Sequence, residues 1–182
     1  MSAYVAGDRR AFERLFGRVA PRVHSFFVRS FGSTAVADDL LQITFLKLHR
    51  ARNDYRPGAP LRPWLFAIAA RVRLDELRRR YRLPEDAGEE ELVKAAEAQS
   101  NTTVEINGNS REEITQAVQA AIARLPESQR VVVHLHRFEG MTFPEIAQVL
   151  GTTEGAVKLR AFRAYERLRK ELADLMTGEE AA

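Results

Sequence analysis

Apolar residues in this chain recur at three- and four-residue intervals over long stretches, and proline or glycine stands where the recurrence breaks. That rhythm puts one face of an α-helix into a core, whereas a half-buried strand would alternate with a period of two. From Arg9 to Phe31 the positions Phe12, Leu15, Phe16, Val19, Val23, Phe26 and Phe27 make such a face, with Asp8 as cap. Pro21 should kink or interrupt this helix, because its ring removes a donor and crowds the preceding turn. Gly32 punctuates, Ser33 or Thr34 can cap, and Val36, Leu40, Leu41, Phe45, Leu46 and Leu48 continue a second helix to about Ala51. Asn53 to Pro60 is dense in turn formers and reads as a loop. A third helix spans Leu61 to about Tyr81, with Trp64, Leu65, Ile68, Val72 and Leu77 inward. Glu112 to Leu125 and Ser128 to about Phe138 follow, ended by Pro126 and Gly140, and then two short helices and a final long one. No strand-like alternation persists and no internal repeat is visible. The expectation is an all-α chain.

Its 182 residues suffice for two compact domains of roughly 70 residues each. Charge suggests where to divide them. Between Leu83 and Ser110 seven acids (Glu85, Asp86, Glu89, Glu90, Glu91, Glu97 and Glu105) face Lys94 alone, although the whole chain carries +3. This segment is also poor in large apolar residues, which marks a flexible acidic linker. The expected organisation is two small helical domains, residues 8–82 and 111–176, joined by linker 83–110. The remainder is strongly basic, above all the helix with Arg62, Arg71, Arg73, Arg78, Arg79, Arg80 and Arg82.

Several function classes are disfavoured. Apolar runs such as Trp64 to Ala70 fall far short of the roughly 20 residues that span a bilayer, and the start MSAYVAGDRR lacks a secretory pattern; a cytoplasmic location is expected. With no cysteine there is no disulfide framework and no thiolate metal site. His134 and His136 flank Leu135 in a helix and point to different faces, which suits structural roles rather than chelation. The pairs Asp38–Asp39 and Asp75–Glu76 have no accompanying histidine, nucleophile or phosphate-binding loop. No enzyme activity, cofactor or metal is expected.

The clearest local motif is TFPEIAQVLG followed by TTEGAVKLRAFRAYERLRKEL. Thr142 and Glu145 fit a capping box, Pro144 suits a first turn, small Ala147 admits a neighbouring helix, and Gly151 makes a turn. Thr152 or Thr153 caps the next helix, and Val157 returns to the core, as a helix-turn-helix requires. At 100° per residue, the inward stripe of Val157, Ala161, Ala164, Leu168, Leu172 and Leu175 leaves Lys158, Leu159, Phe162 and Arg163 facing outward. Basic residues there suit phosphates or guanine edges, and apolar ones suit thymine methyls or a protein.

With these residues in hand, the chain resembles the extracytoplasmic-function sigma factors from roughly Phe12 to Leu175. DDLLQITFLKLHRA (Asp38 to Ala51) is similar to the helix that docks on the largest subunit of RNA polymerase; the resemblance implies Asp38, Asp39, Leu41, Gln42 and Phe45 as polymerase contacts. PLRPWLFAIAARVRLDELRRR (Pro60 to Arg80) is similar to the helix that melts and holds the minus-ten promoter element, with Trp64-Leu65 as landmark. It implies minus-ten contacts by Arg62, Trp64, Arg71, Arg73, Arg78 and Arg79, and by Asn53, Tyr55 and Arg56 in the adjoining loop, where an unstacked base is held. Ile122 to Leu172 resembles the minus-thirty-five domain, which assigns Thr153, Lys158, Leu159, Phe162 and Arg163 to promoter DNA. Arg71 stands where the family commonly has asparagine, and Leu159 where a small polar residue is frequent. By resemblance the linker threads toward the polymerase cleft; a plain tether accounts for its composition equally well. The implied partners are core RNA polymerase, promoter DNA and an anti-sigma factor, with a monomer outside these complexes. An alternative is a helix-turn-helix activator with an amino-terminal sensor or dimerisation domain.

Overall fold

The computed structural model describes residues 1–84, 91, 95 and 111–177, and among these every regular element is helical. A short α1 (Ser2–Val5) leads into α2 (Arg9–Phe31), α3 (Thr34–Arg50) and α4 (Leu61–Tyr81). After residues that lie outside the description come α5 (Arg111–Arg124), α6 (Glu127–Val133), α7 (Phe143–Leu150) and α8 (Glu154–Thr177). A 3-10 turn, Arg52–Asp54, follows α3, and a π-helical turn, His134–Phe138, extends α6. The expected acidic linker falls almost wholly outside the described residues. No helix among the described residues is long and apolar enough to cross a membrane.

Local chemistry fixes most boundaries. The Asp8 carboxylate accepts from the Ala11 amide at 3.2 Å and caps α2; Ser33, rather than Thr34, caps α3 through the Val36 amide. Gly32 adopts φ +67° and ends α2 in the left-handed region, where a Cβ would be strained. Of the kink or interruption expected at Pro21, the interruption does not occur: α2 runs through it as one helix. Proline there forgoes one backbone bond, while the flanking Ala20 and Val23 are buried and hold both halves of the helix in place. Only α7 stands between Gly140 and the final helix, not the two short helices the sequence suggests.

The amino-terminal and carboxy-terminal helices share a core. Phe26, Phe27, Leu48, Leu65, Phe66 and Ala69 from α2–α4 join Val131, Val132, Leu135, Met141, Ile146, Val149 and Val157 in one buried cluster. A smaller cluster of Ala121, Ile122, Leu125, Val133, Ala164 and Leu168 closes α5 and α6 against α8.

Charged residues also cross between the two sets of helices. Glu139, only 2% exposed, accepts from Arg22 Nε at 2.9 Å and Arg29 Nη2 at 3.0 Å. Its backbone carbonyl accepts from Arg62 Nη1 at 2.8 Å and Arg22 Nη2 at 3.3 Å. The Arg29 guanidinium also lies 4.4 Å from the centre of the Phe138 ring. Below α4, buried Arg73 donates to Ser30 Oγ at 3.1 Å and to the Glu127 carboxylate, which Arg130 also pairs.

His134 sits between these two clusters, edge-on to Phe26 and to Phe138. Burial, helped by the nearby Arg29 and Arg130 cations, pushes its pKa down from 6.5 to about 3. The unfolded chain therefore takes up a proton on this ring below about pH 6.5, which the folded chain refuses until about pH 3. Stability is full above the unfolded value and falls with pH across that window, by at most about 1.4 kcal/mol per pH unit. Urea unfolding at pH 7 and pH 5 should show a larger loss in the natural chain than in His134→Leu; equal losses would contradict a neutral, buried ring.

Candidate nucleic-acid and protein interfaces

In the helix-turn-helix the backbone and side chains of the two-helix unit agree. The Thr142 hydroxyl accepts from the Glu145 amide at 3.4 Å, and the Glu145 carboxylate accepts from the Thr142 amide at 2.8 Å. The Thr142 amide foremost, and then the Thr142 hydroxyl donating to the same carboxylate at 2.9 Å, hold the Glu145 carboxyl below its ordinary pKa. Gly151 ends α7 at φ +64°, and the Thr153 hydroxyl accepts from the Ala156 amide at 3.2 Å to start α8. Val157, Ala161, Ala164 and Leu168 are buried, so the outward face carries Lys158, Leu159, Phe162 and Arg163, all exposed. Phe162 is 64% exposed, an apolar ring with no core to occupy. Lys158 pairs with Glu154 one turn earlier at 2.7 Å, a surface contact that a phosphate can displace at little cost.

The residues assigned to the minus-ten element separate into groups. Asn53 and Arg56 are exposed on the loop after α3, and Arg71 is exposed on α4. Tyr55 is buried instead: its hydroxyl donates to the Ala59 carbonyl, and its ring meets Trp64 edge-on at 5.2 Å. That pair shapes the loop and leaves Trp64 half-buried. Arg79 forms a two-bond fork with Glu76, at 2.7 and 2.9 Å, and Arg80 joins the same carboxylate. Arg78 is half-buried. Arg62 and Arg73 are the exceptions, because the carboxy-terminal helices engage both of them.

On α3 the residues assigned to polymerase also divide. Asp38, Asp39 and Gln42 are exposed and Leu41 is half-buried; Asp38 lies 3.2 Å from the His24 ring. Phe45 is buried under Phe16, at 4.7 Å between ring centres. The surface beside it consists of Phe16, Ile43 and Leu46, all more than one-third exposed. Ile43 was not singled out by sequence, and Leu46 was assigned to the inward face. The signal was present, since Leu40, Thr44 and Leu48 already fill the buried stripe of α3 and Leu46 lies off it. Together with Asp39 and Gln42 these residues form an apolar patch with a polar margin, the composition of a protein-docking surface. His136 accepts or donates at the Met141 carbonyl, 2.9 Å away, and no group of three metal-ligating side chains occurs among the described residues.

The chain is similar to known proteins along nearly its whole length. Residues 15–83 match the model for sigma-70 region 2, and residues 115–168 match that for sigma-70 region 4. The chain is 37% identical to the RNA polymerase sigma factor CarQ of Myxococcus xanthus, covering 96% of this chain and 97% of that one. It is 35% identical to the ECF RNA polymerase sigma factor SigM of Mycobacterium tuberculosis, over 98% of this chain and 85% of the relative. Among solved structures, CnrH in complex with the cytosolic domain of CnrY superposes with a TM-score of 0.66 at 28% identity, over 95% of this chain and 94% of that one.

The capping box predicts a measurable stability. Thr142→Ala removes one of the two reciprocal bonds and should lower unfolding free energy by about 1 kcal/mol. An unchanged urea midpoint would show that the box contributes nothing.

Proposed function

The chain belongs to the extracytoplasmic-function sigma factors of the sigma-70 family, and on that premise we propose how its helices divide the work of starting transcription. It is a sigma factor that directs core RNA polymerase to promoters. Residues 8–82 form the unit that docks on polymerase and opens the minus-ten element, residues 111–176 form the unit that reads the minus-thirty-five element, and residues 83–110 join them. Polymerase performs all the chemistry; this chain supplies binding and orientation, and works in the cytoplasm.

The observation that carries this reading is the exposed face of α8, placed by a capped, glycine-turned two-helix unit. Thr153, Lys158, Leu159, Phe162 and Arg163 lie on or beside the end of α8 that enters a major groove in such a unit. Lys158 and Arg163 supply phosphate or guanine contacts, and Leu159 and Phe162 supply apolar contact with thymine methyls or with a protein. On α4 and its preceding loop, Asn53, Arg56, Arg71 and Trp64 receive the separated strand, with Arg62, Arg73, Arg78 and Arg79 as phosphate contacts. Tyr55 acts through Trp64 and the loop it braces. Polymerase docks on Asp38, Asp39, Leu41 and Gln42 over the support of Phe45, and we extend that surface to Phe16, Ile43 and Leu46. CnrH was captured with the cytosolic domain of CnrY; by analogy an anti-sigma factor restrains this chain.

Transcription of fragmented genomic DNA by core polymerase, with and without this protein, tests the reading. Discrete new start sites sharing upstream elements are expected; no new starts together with no binding to core would overturn it. Arg163→Ala should weaken upstream-element binding by about 1–3 kcal/mol if it reads a base, and uniformly across sequences if it holds a phosphate. Unaltered binding to every sequence would remove Arg163 from the interface. Leu46→Glu should weaken binding to core polymerase by about tenfold while leaving helicity intact; undiminished binding would move the docking surface elsewhere.

A further inference from the structure

We propose that the cavity between α1, α2 and α4 binds one molecule of a free fatty acid, its carboxylate held by arginines at the rim and its alkyl chain laid on the apolar floor. The site rests on the geometry of the amino-terminal helices alone, and stands or falls apart from the reading of the chain as a sigma factor.

The cavity measures about 560 Å³, within the ~300–1,000 Å³ typical of small-molecule sites. Leu15 and Val19 of α2 and Leu61, Leu65 and Phe66 of α4 supply its apolar lining. Leu15, Leu65 and Phe66 are buried, so close packing of the core fixes the floor. Among the described residues that line the cavity, the polar side chains are all arginine: Arg14, Arg18, Arg22 and Arg62. The first three recur at every fourth residue and so share one edge of α2, while Arg62 belongs to the first turn of α4. An apolar hollow with cations alone for its polar groups calls for a ligand with an anionic head and a greasy body.

Internal partners leave part of this rim available. Arg18 is exposed and makes no hydrogen bond or ion pair with any described residue. Arg14 is also exposed and meets Asp8 at 3.3 Å, a surface pair that a second carboxylate displaces at little cost. Arg22 and Arg62 donate to Glu139 and add positive charge to the same rim. A guanidinium fork matches a carboxylate through two parallel bonds. The apolar lining decides what the carboxylate carries. A nucleotide base needs donors and acceptors along its edges, and the lining side chains other than arginine offer none. A bare anion would leave the floor uncovered, whereas an alkyl chain removes it from water. A concave site of this size admits a single chain, while a bilayer presents a broad face.

Isothermal titration calorimetry of the full chain with sodium dodecanoate, at neutral pH and below its micelle concentration, tests the site. One molecule per chain is expected, with octanoate at least about tenfold weaker because fewer methylenes are buried. Arg14→Gln with Arg18→Gln should weaken dodecanoate by at least about tenfold, and lysine at both positions should recover part of that loss. Arg169→Gln removes an exposed arginine of α8 outside the cavity lining and should bind as the natural chain does. Both arginines of the rim variant are exposed, so circular dichroism should show its helicity intact. No saturable binding, binding that the double glutamine variant leaves unaltered, or dodecyltrimethylammonium bound as tightly as dodecanoate overturns the proposal. Binding confined to phosphatidylglycerol vesicles overturns it as well, in favour of a membrane surface.

Discussion

A carboxylate removed from water must be met by donors, and at Glu139 those donors come from α2. Its backbone carbonyl draws in α4 as well, through Arg62. This requirement organises the molecule: it sets α7 against α4, keeps Phe138 beneath the Arg29 guanidinium, and encloses His134 where protonation is unfavourable. The apolar core between the two halves could slide among several similar packings, since dispersion and burial are nondirectional. The fork of bonds around one acid selects among them, because each guanidinium must arrive at a fixed angle.

Local signals made much of the fold legible. Caps at Asp8, Ser33 and Thr142, the glycine stops at Gly32 and Gly151, and the inward stripe of α8 all depend on residues within a few positions of one another. Such features survive in sequence because their partners are near. The association of the two halves was not legible for the opposite reason. Arg22, Arg29, Arg73, Glu127 and Glu139 look like ordinary solvated charges until helices far apart in sequence are brought together. The same blindness affected Leu46, whose apolar character suggested burial although the inner stripe of α3 was already filled. Tyr55 shows the reverse error of emphasis: a loop aromatic assigned to DNA is buried against Trp64 and braces the loop. Family resemblance named the family correctly, but which side chains face outward needed the packing.

The candidate surfaces differ in readiness. On α8 the outward residues are backed by Val157 and Ala161 of the shared core and, further along, by Ala164 and Leu168 of the smaller cluster, and Lys158 makes a surface ion pair with Glu154. The α3 patch likewise stands open to a partner. On α4, Arg71 is exposed while Arg62 and Arg73 are engaged, so one helix presents a divided surface. Recognition of a duplex and separation of its strands are different tasks, and the side chains assigned to them begin from different states of engagement.

The π-helical turn at His134–Phe138 has a consequence for how this chain tolerates change in length. Such a turn holds more residues per revolution than an α-helix, and it lies directly before Glu139. Losing or gaining a residue there would shift the angular phase of everything that follows. A substitution near Glu139 adjusts the strength of the contact between the halves, whereas an insertion or deletion in the turn redirects it. Length at this one joint acts as a mechanical dial, separate from the chemistry of the residues it aligns.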